Sequence, residues 1–61
     1  MKQRQVMKIK IFGKTLVVLQ RSCKHYEFMV CEMIDAKQKL NLEEFVSFQE
    51  AVDFAINYLY Q

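Results

Sequence analysis

The segment Ser47 to Tyr60 constrains this fold more than any other stretch, because it carries both a helix start signal and a helical apolar stripe. Ser47 and Glu50 stand at capping-box spacing. The Ser47 hydroxyl is placed to accept from the amide of residue 50, and the Glu50 carboxylate to reach back to the amide of Ser47. Val46 before the cap and Ala51 in the first turn suit a hydrophobic staple. Glu43, Glu44 and Glu50 put negative charge near the positive end of the helix dipole. Phe48, Ala51, Val52, Ala55, Ile56 and Leu59 then recur as a core stripe, with Phe54 and Tyr58 on one flank and Gln49, Glu50, Asp53 and Asn57 opposite. So wide an apolar arc calls for a sheet beneath it and leaves surface for a second contact, such as a dimer or a fold-back of Leu40–Val46.

The residues upstream supply that sheet. From Val6 to Phe12, Met7, Ile9 and Ile11 alternate with Lys8 and Lys10, the pattern of a half-buried strand. Gly13, the only glycine, precedes Lys14 and a second aliphatic run from Thr15 to Gln20. A two-residue Gly13-Lys14 loop of type II′ predicts a hairpin pairing Phe12 with Thr15, Ile11 with Leu16, Lys10 with Val17, Ile9 with Val18 and Lys8 with Leu19. Cross-strand partners share a face, so Met7, Ile9, Ile11, Leu16 and Val18 face the helix, and Lys8, Lys10, Phe12, Val17, Leu19 and Arg21 face away. Ser22 to His25 reads as a polar turn and Tyr26 to Ile34 as a third strand. In that strand Tyr26, Phe28, Val30 and Ile34 form one set, and Met29, Cys31 and Met33 the other. Glu32 and Glu27 interrupt these sets, and either could face the helix. After a charged turn at Asp35 to Lys39, Leu40 to Val46 is a short fourth strand or an extended lead-in to the cap. The expected fold is α+β: a small antiparallel sheet of three or four strands with one C-terminal amphipathic helix on one face, β-β-β-(β)-α. Residues 1–5 read as a flexible basic arm and 6–61 as a single domain.

Sixty-one residues form a domain that buries only about 60% of the surface of its unfolded chain, yet 52% of its residues are hydrophobic. That surplus points to self-association or docking. Two cysteines are too few for a secreted disulfide framework. No signal peptide is legible, and an apolar run such as Leu16 to Leu19 is far too short to span a bilayer. These features predict a soluble cytoplasmic protein without a membrane contact. Charge is distributed unevenly. Residues 1–26 hold seven basic residues and no acid, whereas 40–61 hold four acids and no base. A basic sheet carrying an acidic helix exposes opposite potentials on two sides.

The chemistry-bearing residues are few. Cys23, His25 and Cys31 form a C-x-H-x5-C run that matches no zinc-site spacing. A Cys–His pair would need an enclosed pocket and oxyanion donors that so small a domain rarely provides. No phosphate-binding glycine loop or nucleophile elbow is present. The expectation is a protein that is not an enzyme, with no cofactor, metal or small-molecule substrate.

The basic face of the hairpin is the main candidate site. Lys8, Lys10, Lys14 and Arg21 can neutralise phosphates, and Phe12 can press on sugars or unstacked bases. The plainer reading is that lysines on edge strands guard against edge-to-edge pairing. A rival on the same face is a protein interface of Val17, Leu19, Met29 and Met33, an adaptable patch rimmed by cations. It would serve a homodimer, or an inhibitor of a host protein of the kind phages and mobile elements encode. The run Phe45-Val46-Ser47-Phe48-Gln49-Glu50-Ala51, entering a helix after a small sheet, resembles a junction in two groups of DNA-binding modules. These are the sheet-plus-helix domains at the start of tyrosine recombinases and those of plant AP2-type factors. The resemblance covers seven residues, implies a sheet that lies on DNA, and assigns no family. The tryptophan and additional glycines usual in those sheets are lacking.

Overall fold

A computed structural model describes residues 3–21 and 27–61. Four strands, β1 (Gln3–Ile11), β2 (Lys14–Arg21), β3 (Phe28–Met33) and β4 (Lys39–Phe45), precede one helix, α1 (Phe48–Leu59). The strands form a single antiparallel sheet in the order β1-β2-β3-β4, and α1 packs on β2, β3 and β4. The protein is therefore α+β, and Leu40–Val46 supplies a fourth strand. β1 begins at Gln3, inside the stretch read as an arm. The predicted turn at Ser22 to His25, and Cys23 and His25 with it, lie outside the described residues.

The first hairpin turns one residue earlier than its sequence suggests. Its central residues are Phe12 and Gly13, at φ 57° and 77°. Type I′ turns require positive φ at both central positions and match the twist of the strands. The ladder consequently pairs Ile11 with Lys14, Lys10 with Thr15, Ile9 with Leu16 and Lys8 with Val17. This register is offset by two residues from the expected one, so every strand residue keeps its face. Phe12 and Lys14 exchange roles, Lys14 leaving the expected loop to pair with Ile11 in β2. Phe12 leaves the strand for the turn, where its ring meets Tyr60 edge-on at 5.5 Å. Farther along, the ladder slips between Gln5 and Met7, leaving Val6 as a bulge.

β3 resolves its ambiguous alternation through one polar contact. Val30 and Glu32 face the helix, because the Tyr58 hydroxyl donates to Glu32 Oε1 at 2.7 Å and satisfies the carboxylate there. Met29, Cys31 and Met33 face away. In the β3–β4 turn, Asp35 Oδ1 accepts from the amides of Lys37 and Gln38 at 2.8 and 2.9 Å. A side-chain acceptor at that position stabilises a tight turn without glycine.

α1 starts as its cap predicts. The Glu50 amide donates to Ser47 Oγ at 3.1 Å. The staple differs, since Val46 is exposed while Ala51 is fully buried. The stripe is also rotated. Ala51, Ala55 and Leu59 form its buried centre, Phe54 and Tyr58 pack on the core, and Phe48 and Ile56 are about two-fifths exposed, Phe48 with its ring against Phe28. Phe54 lies against Phe45 of β4 at 5.3 Å, which draws the helix toward that side of the sheet. Leu16, Val18 and Val30 complete the core beneath it.

Candidate nucleic-acid interface

The sheet face opposite α1 is assembled from aligned rows of the ladder. Lys8, Val17, Cys31 and Asn41 stand across one row, and Gln5, Leu19, Met29 and Glu44 across another. The apolar residues sit on the two central strands and the polar residues on the two edges. Long side chains at the edges can fold their stems over an apolar centre while keeping their charge in water.

The predicted cations do not all share this face. Lys8 and Lys10 do, and both are exposed. Arg21 does too, and its guanidinium pairs with Glu44 at 3.3 Å. Lys14 does not. Opposite Ile11, it lies on the helix side with its ammonium 5.4 Å from the centre of the Tyr58 ring. Phe12 is likewise directed to the helix side by its place in the turn. Lys39, expected in a charged turn, joins the open face opposite Met33. The Leu40/Leu42 alternation was the signal that could have placed it. Lys8 and Lys10, with Thr15, Val17, Met33 and Asp35, line an open groove of about 400 Å³ between the hairpin and the β3–β4 turn.

The four residues of the rival interface do come together. Val17, Leu19, Met29 and Cys31 form one cluster on the open face, with Met33 packed against it. Val17, Leu19 and Met29 are only 4%, 7% and 8% exposed, so the cluster offers little apolar surface to a partner as it stands. Cys31 is sealed within it, donating from its thiol to Asn41 Oδ1 at 3.2 Å. Burial pushes its pKa up, only partly offset by Lys39, so the thiol stays protonated and is a poor nucleophile. Among the described residues, no three His, Cys, Asp or Glu side chains are grouped to hold a metal ion, and no helix is long and apolar enough to cross a membrane.

Comparison of the chain with protein-family models, with curated proteins and with solved structures returned no match.

Proposed function

We propose that this chain is a non-enzymatic binding module that holds the phosphate backbone of a nucleic acid on the β1 half of its open sheet face. The observation that carries the reading is one of charge placement. β1 and β2 together bear Arg4, Lys8, Lys10, Lys14 and Arg21 without one acidic residue. Lys8 and Lys10 project to the same side and line the groove, with Lys39 on that face at the opposite edge of the sheet, beside Met33. Such an arrangement positions a polyanion without reading its bases. A protein partner on this face would have to read the lysine rim, because the Val17/Leu19/Met29 centre is covered.

Fluorescence anisotropy with labelled single- and double-stranded DNA and RNA tests the proposal. Three phosphate contacts predict that affinity falls about 40-fold between about 50 and 200 mM salt. Lys8→Glu/Lys10→Glu should abolish binding while leaving the circular dichroism spectrum unchanged. No binding of any of these nucleic acids at the lower salt would overturn the assignment.

A further inference from the structure

We propose that copies of this chain associate head to tail, with the β1 edge of one pairing with the β4 edge of the next. The strand order leaves β1 and β4 as the two edges of the sheet, each with backbone N–H and C=O groups turned outward. The two edges have opposite charge. β1 carries Arg4, Lys8 and Lys10 and no acid, whereas β4 carries Glu43, and Glu44 in its pair with Arg21, against Lys39. Their apolar surfaces also match. On β1, Met7, Ile9 and Ile11 are only half-buried on the helix side, because α1 lies over the other three strands. Around β4, Leu40 is 51% exposed and Val46 65%. There Met29, Leu42 and Val46 floor an open groove of about 490 Å³ beside Glu43 and Glu44. An apolar floor with an acidic rim accommodates both the stem and the ammonium of a lysine.

Charge favours this pairing over a symmetric β1–β1 one. Pairing β1 with β1 of a second copy would set lysines against lysines, whereas an antiparallel β4–β4 pair, which can set Lys39 against Glu43 or Glu44, would leave Lys8 and Lys10 uninvolved and would survive Lys8→Glu/Lys10→Glu. Like charges across a ladder are destabilising. The edge lysines therefore do not forbid pairing but restrict it to an acidic strand. Direction agrees as well. β1 and β4 run antiparallel within one copy, so a copy repeated side by side offers its β4 antiparallel to β1 and keeps α1 on the same side. The contact is heterologous, and it builds open chains or closed rings. It shares Lys8 and Lys10 with the nucleic-acid reading without resting on it.

Sedimentation velocity without nucleic acid, from micromolar to millimolar protein at about 50 and 200 mM salt, provides the test. The weight-average mass should rise with concentration above the 7.4 kDa of one chain, and less so at the higher salt. Lys8→Glu/Lys10→Glu makes both edges acidic, and Glu43→Lys/Glu44→Lys makes both basic, so each variant alone should stay monomeric. An equimolar mixture restores opposite charges at every contact and should associate as the parent chain does. Glu43→Lys alone, which leaves the Arg21–Glu44 pair intact, should weaken association even if the double variant fails to fold. A monomeric parent chain at every concentration, a Lys8→Glu/Lys10→Glu chain that still associates alone, a mixture of folded variants that fails to associate, or a Glu43→Lys chain that associates like the parent would each overturn the proposal. Glu43→Lys/Glu44→Lys retains Lys8 and Lys10, so it should still bind nucleic acid when it no longer self-associates, which keeps the two readings distinguishable.

Discussion

The two faces of the sheet reach similar burial by different means. On the helix side, Leu16, Val18 and Val30 are sealed by Ala51, Ala55 and Leu59, small and medium side chains that let α1 sit close. On the open side, Val17, Leu19, Met29 and Cys31 are nearly as buried with no helix over them, flanked along their ladder rows by Lys8, Gln5, Asn41 and Glu44. Close-packed cover cannot rearrange to fill a gap, whereas flexible stems and water can. Equal exposure therefore does not mean equal contribution, and the open face can alter its cover when a partner arrives.

Truncation on each face breaks or sharpens that contrast. Leu16→Ala should cost about 4 kcal/mol, near the top of the range for buried leucine, because α1 holds the cavity open. A domain of this size has about 3–9 kcal/mol in total, so the variant should be partly or wholly unfolded at room temperature. Leu19→Ala should cost about 2 kcal/mol, since edge side chains can close over the site. Urea titrations of the two variants check the pair, and equal losses would mean that the open face is packed as rigidly as the covered one. Ser47→Ala removes only the acceptor for the Glu50 amide and should cost about 1 kcal/mol, read in the same titration.

A last contrast is one of pH. On the helix face the Tyr58 hydroxyl donates to Glu32, which, with burial and the charge of Glu32, raises its pKa above the ordinary tyrosine value. The folded state therefore binds that proton more tightly than the unfolded state. The resulting stability is complete below about pH 10 and declines as pH rises through the unfolded and then the folded value. Tyr58→Phe should remove this part of the alkaline slope. Thermal melts from neutral to strongly alkaline pH, wild type against variant, would show it as converging midpoints.

Much of the fold was legible because a period-two pattern is written plainly in Met7–Ile11, a continuous apolar run in Leu16–Leu19 and a helical pattern in Ala51–Leu59. The hairpin shows where legibility ended. Gly13 suggested a turn starting at glycine, but the observed turn places Gly13 second and asks Phe12 to take positive φ, which is uncommon for an aromatic residue. The Tyr60 ring, 48 residues away in sequence, supports Phe12 there, and no local pattern announces that contact. Because the offset was even, the hairpin's helix-facing residues were read correctly while two site residues were misplaced, Phe12 by the turn and Lys14 by its contact with Tyr58. Glu32 looked like a break in a strand until a tyrosine on α1 supplied its partner. In each case the missing information was tertiary. The bulge at Val6 and the rotation of α1 toward Phe45 are of the same kind.

The most direct measurement of the two-face account is a ¹H–¹⁵N correlation spectrum recorded during titration with a short oligonucleotide at low salt. Amide shifts should concentrate at Lys8, Lys10, Thr15, Val17 and Lys39, while Ala51, Ala55 and Leu59 under the helix remain in place. Shifts centred on α1, or none at saturating oligonucleotide, would contradict it.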